Sequence, residues 1–346
     1  MFWNKLPKPF FVMAPMADVT DVAFRTLVAK RGKPDVFWTE FVSADGLYHT
    51  TTRSGRTSPP SARAARPIQH GVKVLPLRSK NNPLLRDLQF TEEQRQIVAQ
   101  IFSSKPEMIT YATKLVAKLG FDGVDINMGC PDRSIEKQGC GAAMIKNPKL
   151  AQEIIRAAQT ASKLPVSVKT RVGYNKESLD EWLTALLEAN PAAITLHLRT
   201  RKEMSLVPAD WELMNKAVEI RNRVNPNVLL IGNGDVQDLE DARIKIAESG
   251  CDGAMLGRAM FGNPWVFAGR KSEDTPLAEK LEALVDLAHG FEKLSPPKHF
   301  AILKKHIKAF VTDFPGVADL RARLMRAESA TELASAIRLH ERAPGR

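Results

Sequence analysis

Cysteine is scarce in this 346-residue chain: Cys130, Cys140 and Cys251 are its only thiols. Three, irregularly spaced, are too few for a disulfide framework or a zinc site. A reducing compartment is expected, and with it a cytoplasmic protein. Long apolar runs are missing too. The N-terminal run from Phe10 to Ala17 is too short to cross a bilayer and lacks a signal-peptide cleavage pattern, so no membrane association is expected. No Gly-x-Gly-x-x-Gly follows a strand-like segment, so a Rossmann dinucleotide domain has no support. The seven histidines form no ligand set, and no metal is expected. Acidic residues are absent between Thr51 and Arg86, where eight Lys/Arg carry +8 of the chain's +11. The 276–346 segment adds +3, from 12 basic and 9 acidic residues, and the rest of the chain is neutral. A polyanionic partner fits such a distribution.

What the chain does have is a repeated alternation of strand-like and helical segments. Apolar or β-branched runs occur at 9–16, 35–41, 97–102, 123–129, 166–171, 193–199, 228–234 and 253–258. Helical periodicity fills segments such as Pro148–Ser162, with Asn147 before it, and Val236–Ser249, with Gly250 after it. Eight near-continuous apolar strands alternating with helices predict an α/β fold, a parallel (β/α)8 TIM barrel, rather than an open sheet. Beyond Pro276 the pattern changes to helices alone, over 277–293, 299–314, 317–327 and 331–338. The expected division is a catalytic barrel over 1–275 and an all-helical C-terminal domain over 276–346.

Most predicted strands end on a side chain able to do chemistry: Met16, Glu40, Gln100, Asn127 with Cys130, Lys169 with Arg171, His197 with Arg199, Asn233 with Asp235, and Arg258. In a barrel such residues converge on one mouth, although any single one also reads as the first residue of a surface loop. Cys130 closes Val124-Asp-Ile-Asn-Met-Gly-Cys-Pro131, a run that presents a thiol at a strand end; a free cysteine is equally at home as a small buried hydrophobe. Ile231-Gly-Asn-Gly-Asp235 and Leu256-Gly-Arg-Ala259 fall after strands seven and eight, where barrels commonly bind phosphate. Their glycines alone would also satisfy tight turns. A phosphorylated cofactor, with Lys169 and His197 nearby, suggests FMN. Lys169 then stands beside the flavin N1 and O2 positions and Gln100 bonds the ring edge. Cys130, as a neutral thiol, is placed to protonate a carbon next to one that receives hydride.

With these elements assembled, the chain resembles the tRNA-dihydrouridine synthases. The resemblance is carried by Met13-Ala-Pro-Met-Ala17, Thr39-Glu-Phe41, Val98-Ala-Gln-Ile-Phe102, Asp125-Ile-Asn-Met-Gly-Cys-Pro131, Gly139-Cys-Gly-Ala-Ala143, Val168-Lys-Thr-Arg171, His197-Leu-Arg-Thr-Arg201, Gly232-Asn-Gly-Asp235 and Gly257-Arg258. It implies an FMN-dependent oxidoreductase that reduces uridine in tRNA, NAD(P)H being the transient electron donor. On that basis Cys130 is the proton donor to C5 while hydride reaches C6 from flavin N5. Pro15, Met16, Ala17, Gln100, Lys169, His197, Asn233, Gly234, Asp235, Gly257 and Arg258 fall on flavin positions, and Asn127 and Arg199 on substrate positions. Leu198 and Cys140 depart from the family pattern, which usually has glycine and a small unreactive residue there.

The resemblance also makes the C-terminal helices a cradle for tRNA, with Lys304, Lys305, Lys308, Arg321, Arg323 and Arg326 available to phosphates; by charge count alone they equally describe a solvated helix surface. The basic stretch over about 49–86 is an insertion. Its charge would suit a tRNA arm, but a disordered insertion, or sequence absent from the mature protein, is the preferred reading. No stable protein partner is expected. A small-molecule pyrimidine oxidoreductase on the same barrel is the alternative function, and an RNA-binding chaperone with a vestigial flavin site a third.

Overall fold

A computed structural model describes residues 1–52, 72–73, 82–312, 314 and 316–341. Its centre is a barrel of eight parallel strands: β1 (Phe10–Met13), β2 (Phe37–Trp38), β3 (Ile97–Phe102), β4 (Gly123–Met128), β5 (Val166–Arg171), β6 (Ala193–His197), β7 (Leu229–Asn233) and β8 (Gly253–Leu256). Each strand from β2 onward pairs with the next in chain order, and β8 pairs with β1. The seam between β1 and β2 is closed by a parallel bridge of Val12 with Val36, where Met13 N donates to Val36 O at 3.0 Å.

The two-residue side-chain period of a strand sorts inside from outside. Along β5, Val166 and Val168 join the apolar layer under the helices, while Ser167 and Lys169 form hydrogen bonds across the barrel interior. A one-residue slip would exchange the two sets. The interior is itself graded. Near the N-terminal ends of the strands, Phe10, Val12, Trp38, Val98, Ala193 and Ile231 form an apolar plug with Trp3 from the N-terminal turn, whose ring lies 5.9 Å from that of Trp38. Toward the C-terminal ends the register sets Gln100 beside Asp125, Asn127 beside Lys169 and His197 beside Asn233. Apolar filling at one end and polar side chains at the other leave one mouth for chemistry.

The outer layer consists of α1 (Val22–Arg31), α2 (Ala44–Thr52), α3 (Pro106–Leu119), α4 (Pro148–Ala161), α5 (Leu179–Glu188), α6 (Glu212–Val224) and α7 (Leu239–Ser249). Asn147 caps α4 as expected, accepting from Leu150 N at 3.2 Å. Helix α7 starts three residues later than its periodicity suggests, because Asp238 is the cap, accepting from Asp241 N at 2.8 Å. It ends at Gly250, which has φ of 70°.

After the barrel come α8 (Leu277–Glu292), α9 (Lys304–Phe310), α10 (Val317–Leu324) and α11 (Ala330–Glu341). The helix expected over 299–314 is shorter, because a 3₁₀ turn at Phe300–Leu303 precedes it and the His299 side chain caps that turn. Leu281, Leu284, Leu287 and Phe291 of α8 share one apolar cluster with Phe24 and Leu27 of α1 and with Ile307, Leu320 and Leu333 beyond. Burying each such side chain contributes about 1.5–3 kcal/mol, so hydrophobic packing, more than the exposed Arg31 to Glu282 and Asp286 bridges, joins the C-terminal helices to the barrel. The approach is close: a Cβ on Gly262 (φ of 72°), after β8, would sit 2.0 Å from Ala309 O.

The strand expected over 35–41 is reduced to Phe37–Trp38, followed by a separate pair, Val42–Ser43, that also joins β3. At the ends of the expected 49–86 insertion, residues 49–52 complete α2 and Pro83–Asp87 form a one-turn helix capped by Asn82. Its basic residues 53, 56, 63, 66, 78 and 80 lie outside the described residues. Among the described residues no helix is long and apolar enough to cross a membrane.

Candidate active site

The thiol is held by its own strand end. Past Met128 the chain turns through Gly129-Cys130-Pro131, and Asn127 Oδ1 accepts from Gly129 N at 3.1 Å and from Cys130 N at 3.0 Å. On the other side, Cys130 O accepts from Ala142 N at 2.9 Å. Gly141 adopts φ of 60°, and a Cβ there would stand 2.5 Å from Cys130 O. The Gly139-Cys140-Gly141 segment is thus the backing of the cysteine turn. Cys130 is half-buried. Burial pushes its thiol pKa up, more than Arg171 and Lys169 pull it down. It is a neutral thiol near pH 7. Cys140 and Cys251 are buried, Cys140 against Phe102 and Ile135.

Asn127 is aimed in turn from beneath. Its Nδ2 donates to Gln100 Oε1 at 3.0 Å, Gln100 Nε2 donates to Asp125 Oδ2 at 2.8 Å, and Ser167 donates to Asp125 Oδ1 at 2.6 Å. Gln100 and Asp125 are fully buried, and burial raises the Asp125 carboxyl to about 6. This relay fixes the amide that fixes the cysteine turn.

Across the mouth, a cavity of about 290 Å³ is lined by residues from β1 and from β5 to β8. Ten of the fourteen residues singled out from sequence line it: Pro15, Met16, Lys169, His197, Arg199, Asn233, Gly234, Asp235, Gly257 and Arg258. The other four lie elsewhere: Ala17 is exposed on the β1 loop, and Gln100, Asn127 and Cys130 form the relay and turn just described. Lys169 Nζ donates to Asn233 Oδ1 at 2.9 Å, and Asn233 Nδ2 donates to Met255 O at 2.9 Å. Burial and the neighbouring Arg171 lower the lysine to about 8, so it is still mostly cationic at pH 7. His197 is held neutral by burial and by Lys169, Arg171 and Arg199 around it. Asp235 pairs with both Arg199 and Arg258. Arg199 also bonds Val207 O at 2.6 Å and His197 Nε2 at 3.1 Å. Four cations, Lys169, Arg171, Arg199 and Arg258, therefore press on one neutral imidazole, and two of them pair with one carboxylate.

The opposite edge has the reverse balance. Lys298, from the segment between α8 and α9, is 3% exposed and lies 2.9 Å from Glu40, 3.5 Å from Asp18 and 3.8 Å from Asp21. Glu40 also accepts from the backbone N–H of Asp18, so a C-terminal lysine reaches the loop that carries Pro15 and Met16. Glu40, at its strand end as expected, belongs to this cluster rather than to the cavity.

Sequence reasoning passed over Asp125, although it quoted the motif containing it, and gave no role to Ser205, which lines the cavity, or to Lys298. Nothing local marks a lysine after two prolines as a contact with the barrel mouth. Of the basic residues offered to phosphates, Lys305, Lys308, Arg323 and Arg326 are exposed, whereas Arg321 donates to Val311 O at 2.7 Å.

A barrel whose strand ends carry a neutral thiol within electrostatic reach of Lys169, which lines a cation-rich cavity, has the form of an oxidoreductase site. The dihydrouridine synthase (Dus) family profile matches residues 12–344. The chain is 37% identical over 335 residues to "Probable tRNA-dihydrouridine synthase" of Staphylococcus aureus (strain COL), covering 96% of this chain and 93% of that protein. It is 39% identical over 336 residues to "Probable tRNA-dihydrouridine synthase 2" of Bacillus subtilis (strain 168), covering 96% and 94%. The chain belongs to the dihydrouridine synthase family. Its barrel is also similar to that of a 2-naphthoyl-CoA reductase complex, with TM-score 0.53 at 9% identity over 76% of this chain and 50% of that one, a likeness of fold alone.

Proposed function

We propose that this protein reduces the C5–C6 double bond of uridine in tRNA, with FMN as the bound redox group and NAD(P)H as its electron donor. The observation that carries the reading is the neutral, half-buried Cys130 thiol, fixed from both sides, at the mouth that also holds a cationic cavity.

The cavity residues fit a planar cofactor with a phosphate. Arg258 and the backbone at Gly234 and Gly257 stand at the ends of β7 and β8, where barrels bind phosphate. Met16 and Pro15 supply an apolar wall. Lys169, whose one hydrogen bond among the described residues is to Asn233, has donors to offer an electron-rich ring edge. Bound there, the flavin supplies hydride from N5 to C6 of the uracil.

The chain's own part is the second hydrogen. Cys130 holds its proton at neutral pH and delivers it to C5 as a general acid. Arg171 stabilises the thiolate left behind, since its charge already pulls the thiol pKa down. Arg171 is anchored by bonds to Gly129 O at 2.8 Å and Thr200 O at 3.1 Å, which keep it beside the cysteine turn. Asn127 sets the direction of the S–H through the two backbone bonds it accepts. The uridine must leave its stack to reach this point, and Lys305, Lys308, Arg323 and Arg326 give the C-terminal helices charge for the tRNA backbone.

The test is direct. Purified protein, loaded with FMN and given NADPH, is incubated with unmodified tRNA transcript, and dihydrouridine is mapped in the product. Dihydrouridine at defined positions supports the reading. No reduction of tRNA, with turnover of free uracil or orotate-type rings instead, would move the function to a small-molecule oxidoreductase.

A further inference from the structure

Among the described residues, six large hydrophobic side chains are exposed, and three of them lie within four consecutive positions: Met204 at 38%, Leu206 at 86% and Val207 at 41%. All three are on the loop between β6 and α6. Isolated exposed leucines need no explanation, but a cluster at the rim of a site does. Ser205, between Met204 and Leu206, lines the cavity itself, so the apolar tip adjoins the cavity assigned to the flavin, over which the reacting base must lie.

The loop is held rigidly, and by residues of the site. Arg171 Nη1 donates to Thr200 O and Met204 O, each at 3.1 Å. Arg199 Nε donates to Val207 O at 2.6 Å. Thr200 N donates to Glu203 Oε2 at 2.7 Å, and Ala209 N to Asp235 Oδ2 at 2.9 Å. Met204 has φ of 57°, a conformation that disfavours a bulky side chain and persists only where its surroundings impose it. Two buried arginines thus grip the tip by its carbonyls and turn Leu206 outward.

The setting is basic. Lys202 is exposed beside the tip, with Asp210 the exposed acid at the far end of the loop, and Arg201 is paired with Glu136 of the turn that follows Cys130. That turn also exposes Arg133 and Lys137, with Asp132 as the exposed acid. A fixed apolar tip framed by cations suits a partner that is polyanionic along its backbone and flat and apolar inside.

We propose that Met204–Val207, with Leu206 foremost, is a wedge that enters the tRNA stack as the target uridine leaves it. Unstacking a base is costly, and apolar side chains inserted between bases offset that cost. The wedge covers the faces of neighbouring bases while the extruded uracil reaches Cys130. The proposal rests on tRNA being the substrate.

Leu206→Ser is the test, since a side chain this exposed is expendable for folding; melting temperature and FMN content serve as controls. Wild type and variant are compared on folded tRNA transcript and on a short unstructured oligonucleotide containing the same uridine. A second transcript carries 2-aminopurine beside the uridine that mapping identifies. The wedge predicts a fall of about tenfold or more in kcat/KM on folded tRNA, little change on the oligonucleotide, and loss of the 2-aminopurine fluorescence rise that wild type produces on binding. Equal kcat/KM on folded tRNA would overturn it. An equal fall on both substrates would overturn it in favour of a general affinity surface, and loss of FMN from the variant would overturn it in favour of a cofactor lid. Failure of wild type to reduce either RNA would instead remove the function on which the proposal rests.

Discussion

The two edges of the barrel mouth carry opposite charge and resolve it in different ways. At the β1–β2 edge, Asp18, Asp21 and Glu40 surround one cation, Lys298. At the β5–β8 edge, Lys169, Arg171, Arg199 and Arg258 accompany one carboxylate, Asp235. The acidic cluster is closed by the chain itself: its lysine has a buried side chain and comes from the C-terminal helical segment, while the carboxylates belong to the barrel. The cationic cluster stays open to a cavity. Excess charge that is sealed is structural, and excess charge that faces a cavity is an invitation to an anion.

The largest expected effect tests the sealed side. Lys298→Met removes the cation paired with buried Glu40 and Asp21, leaving only buried Arg25 to act on them, and removing one partner of a buried pair costs about 3–5 kcal/mol. Thermal melting should show the loss at pH 8. Burial already holds the Glu40 carboxyl up at about 7, and without Lys298 it rises further, so lowering the pH to 5–6 protonates Glu40 and restores part of the melting temperature. A variant as stable as wild type at pH 8 would break the comparison.

On the open side the loss should fall on the cofactor instead. Lys169→Met removes a buried charged donor, worth about 1.5–3 kcal/mol, and FMN affinity measured by flavin fluorescence should weaken about 10- to 100-fold with little change in fold stability. Arg258→Ala should matter less, because its side chain is 68% exposed; a few-fold weaker flavin binding that disappears at high salt is expected. The smallest effect belongs to the relay beneath Cys130. Burial raises Asp125 from 3.8 to about 6, so the folded chain binds its proton more tightly than the unfolded chain does. That contribution is complete below about pH 4 and fades as pH rises through 6. Asp125→Asn should flatten this slope in a pH series of melting curves, while a steeper slope would contradict the assignment.

Much of this was legible in sequence because strand ends in a parallel barrel are few and punctuated. Asn127, Lys169, His197 and Asn233 each close an apolar run, and the period of two sends them inward once the strand is recognised. Gly250 and Asn147 marked helix ends for the same local reason. What escaped was non-local. Lys298 meets Glu40 across more than 250 residues, and only the docking of α8 on α1 brings them together. Gln100 was expected at the ring edge, yet the register places it opposite Asp125, with its amide joined to Asp125 and Asn127. Nothing in the sequence singles out Leu206, since exposure cannot be read from an apolar letter.

The central claim is that Cys130 gives up a proton and does no other chemistry. Its most direct test separates the two half-reactions in Cys130→Ala: flavin reduction by NADPH, followed by absorbance, and reoxidation of the reduced enzyme by tRNA in a single turnover. Removing a general acid costs about 10²- to 10⁴-fold. The reoxidation rate should fall by that factor while flavin content and its reduction persist. Reoxidation at the wild-type rate, or equal loss of both halves, would contradict the claim.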